Sequence, residues 1–388
     1  MRYSFRLAEL LGHVPDPRKR PGTIKAIVEF TGLDRHQVAA LLKNEVKYIP
    51  MQALSRLCDY LIEYGYVSAD QLPGALFAVE PEHFWELLTR RRRLEMCLGV
   101  RRGEEDAWPV GAWVVASDSV LLGELLNGVS SLGGTAKHLK RERGSAHAAH
   151  GLVPHPEHLR QSLVWSPGQV PIDEVIARAR NVYDNFCDPG SDQALICVGS
   201  MKSNPVAELI LASAFGCEPF VSIDTAEHAH QRACPFFLRY RADDPHPPSC
   251  AGGLRLSQDD TSAAPGIYYE NEDQSWEYCG WDEPKHDTAL VFYIHRESQG
   301  RLEMVLGGFS GRATRMLAKT LSSGAEGFWP PIYSRHGIQV GAFIVKYTFS
   351  DEQDQQADLL RTDLVAGTTI IPLSHDVIAR RLDAAKVE

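Results

Sequence analysis

The residues best suited to chemistry sit in three turns, each between a β-like run and a helical one. Ser117-Asp118-Ser119 follows the run Ala112–Ala116, and Gly199-Ser200-Met201-Lys202-Ser203-Asn204 follows Ala194–Val198. Gly307-Gly308-Phe309-Ser310-Gly311 follows Leu302–Leu306 and leads into Arg312. In open α/β sheets ligands bind where strands end and helices begin, and the N–H groups at a helix start favour an anion. Lys202, Arg312 and Arg315 are cations at or beside such starts, where each opposes the helix dipole by about 0.3–1 kcal/mol. An acidic ligand held between them reverses that penalty. The expected ligand-binding residues are therefore Ser200, Lys202, Ser203, Asn204, Ser310, Gly311, Arg312 and Thr314, and the expected ligand is a small anion such as a nucleotide.

The stricter signatures are missing. No GxGxxG and no GxxxxGK[ST] occurs, so neither a dinucleotide fingerprint nor a P-loop is expected. Gly308-Phe309-Ser310-Gly311 lacks the GxSxG spacing of a nucleophile elbow. Asp118, Glu208 and Ser310 are candidate acids and nucleophile with no motif behind them, so no catalytic residue is assigned. His228, His230, Cys234, His246 and Cys250 are ligand types suited to zinc, but their HxHx3C and Hx3C spacing matches no zinc motif; a polar, aromatic-rich loop is expected there, with no metal and no cofactor. His147, His150, His155 and His158 fall in a Gly/Pro/Ala-rich stretch that reads as a loop.

Composition bounds the rest. The chain has 388 residues, 44% of them hydrophobic and 23% charged, which excludes a disordered chain, a collagen-like fibre and a disulfide mini-protein. Eight cysteines without a CxxC pair read as reduced thiols. No apolar run is long enough for a membrane span, and the N-terminal residues lack a signal-peptide pattern, so a cytoplasmic protein without membrane partners is expected. The net charge of −10 argues against a nucleic-acid partner until the chain is divided after Leu72. The first part carries ten Lys and Arg against eight Asp and Glu, the remainder thirty against forty-two. A mildly basic head precedes an acidic body, so the total charge does not decide the partner.

The head is dense in helical patterns. Phe5, Leu7, Leu10 and Leu11 share one face of a short helix ended by Gly12. His13 to Gly22, with Arg18-Lys19-Arg20, reads as a loop. Thr23 opens a helix carrying Ile24, Ile27, Val28 and Phe30. Thr31-Gly32-Leu33 forms a tight turn in which Gly32 supplies the permissive backbone. Asp34 caps the next helix with Gln37 at capping-box spacing, and Val38, Leu41 and Leu42 form its buried side. Beyond Pro50 a further helix buries Leu54, Leu57, Cys58 and Leu61.

Helix, Gly-containing turn and helix make a helix-turn-helix, and the run from Thr23 to Leu42 resembles the DNA-binding core of Cro/C1-type repressors. Pro50, Leu54, Leu57 and Leu61 resemble that family's next helix. Two features depart from it: a longer first loop, and Lys43-Asn44-Glu45-Val46-Lys47 after the recognition helix. The resemblance implies a double-stranded DNA partner, with Arg35, His36 and Ala40 facing the major groove and Thr23, Lys43 and Lys47 on phosphates. Arg35 has the geometry for guanine O6 and N7. A single small head also implies a homodimer over two half-sites.

The expected organisation is an all-α helix-turn-helix head over residues 1–72, a connecting segment over 73–94, and an α/β body over 95–388. The body should be a Rossmann-like open sheet with insertions. Arg90 to Arg93 reads as a solvated charge run. Further strands are expected at Phe220–Ile223, Phe236–Tyr240, Ala289–His295, Val340–Thr348 and Thr369–Ile371, with Asp224–Lys285 an insertion or antiparallel extension. Together these describe a DNA-binding transcriptional regulator whose body senses a small acidic ligand and dimerises. The alternative is an enzyme acting on a nucleotide or phosphorylated small molecule, with an accessory DNA-binding head.

Overall fold

A computed structural model of the chain describes residues 2–11, 23–43, 45–46, 48–69, 72, 76–103, 111–131, 156, 158–187, 192–200, 202–221, 232–245, 247–253, 264–282, 285–296, 299–335, 338–349 and 365–384. The chain divides into two compact units. One comprises Met1–Glu82 with His295–Arg301 and Ser334–Gln339; the other comprises His83–Ile294, Leu302–Tyr333 and Val340–Glu388.

The first unit holds helices α1 (Leu7–Leu10), α2 (Thr23–Thr31), α3 (Arg35–Leu42) and α4 (Met51–Glu63). Their apolar faces meet in one core containing Leu7, Leu11, Ile27, Leu33, Val38, Leu41, Leu54, Leu57 and Leu61. Leu54, Leu57 and Leu61 recur at three- and four-residue steps, so they share one stripe of α4. Burying each such leucine fully contributes about 1.5–3 kcal/mol. The head is not wholly helical: β1 (Arg2–Phe5) pairs antiparallel with β2 (Phe77–Glu80), placing Phe5 opposite Phe77. Their rings meet edge to face at 5.4 Å. The helix expected from Phe5 therefore begins at Leu7, because cross-strand pairing with β2 claims the first residues.

The second unit is built on a mixed sheet flanked by helices. Its strands are β3 (Arg93–Arg102), β4 (Ala112–Val114), β5 (His158–Trp165), β6 (Gln193–Val198), β11 (His286–Arg296), β12 (Arg301–Gly308), β13 (Tyr333–Arg335), β14 (Ile338–Phe349) and β15 (Val365–Pro372). Among the described residues the order is β13-β14-β11-β12-β6-β3-β4, with β15 on β14 and β5 on β3. β3 runs parallel to β5 and β6 but antiparallel to β4, and β14 runs antiparallel to β15. β6 is buried along its whole length, as a strand covered on both faces must be. The runs expected at Ala289–His295, Val340–Thr348 and Thr369–Ile371 fall within β11, β14 and β15.

Helices α5 (Phe84–Thr89), α6 (Ala116–Ser131), α7 (Ile172–Cys187), α8 (Val206–Phe215), α9 (Gly311–Gly324) and α10 (His375–Ala384) complete this unit. α6 packs on α9, and α7 on β5 and α8. α8 is apolar nearly all round and buried at every position but the exposed Ser213, which suits a helix enclosed on most sides. Within the stretch read as an insertion, β7 (Phe236–Arg239), β8 (Gly252–Gly253), β9 (Gly266–Glu270) and β10 (Trp276–Gly280) form a separate sheet ordered β10-β9-β7-β8. Of the strand expected at Phe220–Ile223, Ser222 and Ile223 lie outside the described residues, and Phe220 is not extended. Its φ of 63° puts it in the left-handed region, which extended backbone excludes, and its N–H donates to Glu208 at 3.1 Å.

The arginine run is only partly a solvated face: Arg92 is exposed, and Arg90, Arg91 and Arg93 make ion pairs within this unit. Arg90 pairs with Glu86 at 3.0 Å, Arg91 with Asp192 at 2.8 Å, and Arg93 with Glu95. No helix among the described residues is long and apolar enough to cross a membrane.

Candidate nucleic-acid interface and convergent turns

The turn between α2 and α3 is fixed by three local interactions. Thr31 donates its hydroxyl to the Ile27 carbonyl at 2.6 Å and accepts from the Leu33 N–H at 3.3 Å. Gly32 takes φ +72°, and its N–H closes the helix on Val28, a left-handed helix end that glycine enters without strain. Asp34 then accepts from the N–H groups of His36 and Gln37 at 2.7 and 2.8 Å, while the Gln37 side chain accepts from the Asp34 N–H at 3.3 Å. The capping box read from the sequence is present.

This start orients α3. Val38, Leu41 and Leu42 turn into the core, whereas Arg35, His36 and Lys43 are exposed and Ala40 is half-buried. The exposed groups form a cationic, hydrogen-bonding edge at the beginning and end of one short helix. Tyr48 in the connection between α3 and α4, and Met51 at the first position of α4, are 78% and 77% exposed. Sequence reading passed over them, although an aromatic in a polar connection was the available signal. Thr23 opens α2; its side chain, Lys47 and Arg18-Lys19-Arg20 lie outside the described residues.

In the second unit the three chemistry-bearing turns converge. Gly307 shows how closely: a Cβ there would stand 2.5 Å from the backbone of Gly199 and Ser200. A Cβ at Gly199 would meet Asp118 Oδ2 at 3.0 Å and Ser203 Oγ at 2.7 Å, and one at Gly311 would meet Ser117 Oγ at 3.3 Å. The sequence-chosen residues are thus neighbours, but several of their side chains are engaged locally. Asn204 is fully buried and gives its amide to the Cys97 and Val198 carbonyls at 2.9 and 3.1 Å; its oxygen accepts from the Val206 N–H at 3.2 Å. Ser203 donates to the Ser200 carbonyl at 3.1 Å. Ser310 caps α9 by accepting from Arg312 and Ala313, and donates to Asp287. Thr314 accepts from the Gly308 N–H at 3.1 Å, and Arg312 stacks on the Phe349 ring at 3.3 Å.

The cation expected to await an anion has a protein partner. Lys202 Nζ stands 3.0 Å from Asp244 and 3.9 Å from the centre of the Phe309 ring. Asp244 also accepts from Arg241 at 2.8 Å. Burial pushes the Asp244 carboxyl up, but the Arg241 hydrogen bonds and the Lys202 charge more than reverse this and hold it at about 2. Asp118 goes the other way: burial raises it to about 6, against a weaker opposing hydrogen bond from Ser117. An upward shift of this kind is common among functional carboxyls. Glu208 accepts from Ser249 Oγ and the Cys250 N–H at 2.6 Å each, so its oxygens serve the fold. A cleft lined by Tyr269, Glu270, Glu272, Asp273 and Glu277 shares no residue with these turns, and its carboxylates would repel an anion.

Of the residues weighed for zinc, Cys234 and Cys250 lie together and are joined by Cys217, which pattern reading missed. Cys217 stands 17 positions before Cys234, beyond any short ligand motif; its signal was the Gly216-Cys217 pair closing α8. Hydrogen bonds from Cys234 and Cys250 lower the Cys217 thiol to about 4, while those two are pushed up, first by the same bonds. His228, His230 and His246 lie outside the described residues.

No curated protein and no solved structure matches the chain. Residues 18–62, which hold α2, the capped turn, α3 and most of α4, match the family model of the Cro/C1-type HTH DNA-binding domain.

Proposed function

We propose that the protein is a DNA-binding transcriptional regulator whose second unit senses a small acidic ligand, a nucleotide being one candidate, and forms a homodimer. The observation that carries the DNA-binding part is the capped α3, exposed at Arg35, His36 and Lys43, inside a segment matched by the Cro/C1-type domain. Arg35 reads a guanine edge, and Lys43 holds phosphate. Thr23 and Lys47 join the phosphate contacts, and Ala40 lies against base methyls. Residues 1–72 serve as the head and 95–388 as the body, joined by 73–94.

Support for ligand sensing is the convergence of the turns at Ser117-Asp118, Gly199–Asn204 and Gly307–Thr314. The parallel trio β5, β3 and β6 supports a Rossmann-like reading of this part of the sheet. A ligand there competes with Asp244 for Lys202 and with Ser310 for the start of α9. It changes operator affinity only by binding one arrangement of the paired heads better than the other.

The test is selection of duplexes from a randomised library with the full-length protein, followed by native mass spectrometry of protein and selected DNA. The expected result is a motif of two half-sites about 10–10.5 base pairs apart bound by a dimer. Failure to enrich any motif, or undiminished affinity in an Arg35→Ala/His36→Ala variant, overturns the assignment of α3.

A further inference from the structure

We propose that Cys217, Cys234 and Cys250 form a zinc-binding site that ties α8 to the small sheet of the second unit. Their sulfurs all lie within 4.8 Å of one another, the one such group of metal-suited ligands among the described residues. Zinc–thiolate bonds of about 2.3 Å in a tetrahedron put sulfurs about 3.8 Å apart, so closure on the ion needs at most about 1 Å of movement. Three sulfurs converging on one point make a face of that tetrahedron. A disulfide would join two of them and leave the third idle.

The three ligands come from separate segments, each held by its own backbone. Cys217 follows Gly216, which ends α8 with φ 64°, and its N–H donates to the Ala212 carbonyl at 3.1 Å. Cys234 is fully buried two residues before β7. Cys250 stands two residues before β8, with its N–H on Glu208 at 2.6 Å. The Glu208 carboxylate is occupied by Cys250, Ser249 and Phe220, so it orients a ligand rather than competing for the metal. Its bond to the Cys250 N–H fixes that backbone, as outer-layer hydrogen bonds orient ligands at metal sites.

The charge and the location also fit. Three thiolates and Zn2+ leave a net charge of −1, and Arg232, buried over the Phe237 ring at 3.9 Å, lies two residues from Cys234. Thiolate ligands select zinc over hard cations such as magnesium. Binding releases the remaining thiol protons to solvent and oxidises nothing. The fourth position is taken by water or a further donor. β8 is only two residues long, and a metal tie compensates for the few backbone bonds such a strand can make.

The full-length protein, purified under reducing conditions from zinc-supplemented cells, should carry about one zinc per chain by elemental analysis. Replacing the metal with Co2+ should give thiolate-to-cobalt charge-transfer absorption and tetrahedral d–d bands. Cys217→Ser should weaken zinc retention at least about tenfold, the lower end of what losing even an outer-layer partner of a ligand costs, and Cys234→Ser/Cys250→Ser should abolish it. Cys58→Ser, outside the cluster, should keep the metal. If the variants fail to fold, the wild-type cobalt spectrum decides alone. Absence of thiolate–cobalt bands in the wild type, an undiminished spectrum in the double variant, or a native disulfide between two of the three cysteines overturns the proposal.

Discussion

The Asp34 carboxylate and the Gln37 side chain each bind the other residue's backbone N–H, at 2.8 and 3.3 Å. This reciprocal pair sets where α3 begins, and so which residues of α3 are exposed. An alanine at position 34 removes the acceptor for two helix-start donors. Asp34→Ala should cost about 1 kcal/mol, lowering the melting midpoint of the head by about 4–8 °C, and Asp34→Asn should recover most of the loss. Thermal denaturation followed by circular dichroism checks both. Equal loss in the Asn and Ala variants would show that the cap is not what holds α3.

Arg35 and Lys43 should fail differently. Arg35→Ala removes a base-reading group, so it should cost about 1–3 kcal/mol on the preferred duplex and relax preference at one position. Lys43→Ala should weaken all duplexes alike and reduce the slope of log affinity against log salt by about 1. Anisotropy titrations at several salt concentrations separate the two outcomes. A salt slope unchanged by Lys43→Ala would take that residue off the phosphate backbone.

These features were legible because they are local. Asp34 and Gln37 are three residues apart, and Gly32 sits at a helix end; short-range chemistry writes itself into adjacent sequence. What escaped reading is closed by distant chain. The first strand exists because β2, more than seventy residues on, pairs with it. Arg91 finds Asp192, and Lys202 finds Asp244. Cys217 joins Cys234 and Cys250 only once α8 and the small sheet are packed. Charge runs and single cysteines name a chemical type, and the fold alone names the partner.

Asp118 should make stability fall as pH rises through the weakly acidic range. Its folded value of about 6 lies above the ordinary 3.8, so between these values the folded state binds the proton and the unfolded state has lost it. Stability from this group is therefore greatest at low pH and declines up to about pH 6. Asp118→Asn removes the buried charge and should stabilise the protein by about 1–3 kcal/mol at pH 8, since each pH unit of displacement corresponds to about 1.4 kcal/mol. The gain should vanish near pH 4, where the wild-type carboxyl is protonated. Denaturant titrations at pH 4, 6 and 8 measure it; a gain independent of pH would mean that the amide is better accommodated for reasons other than charge.

The Lys202–Asp244 pair should be costly to break on one side and cheap to replace on both. The Lys202 and Asp244 side chains are 9% and 8% exposed, and the amine also rests on Phe309. Asp244→Asn strands a buried ammonium and should destabilise by about 3–5 kcal/mol. Lys202→Met/Asp244→Asn should recover much of that, because the methionine stem keeps the packing on Phe309 and no buried ammonium remains, while Arg241, 34% exposed, can turn to solvent. The carboxyl has the opposite pH behaviour to Asp118. Its folded value of about 2 lies below the ordinary 3.8, so its contribution is present above pH 4 and is lost as pH falls through about 2. A double-mutant cycle at pH 7 isolates the coupling. If Asp244→Asn alone proves neutral there, Lys202 has another partner, and an anion at these turns is the first candidate to look for.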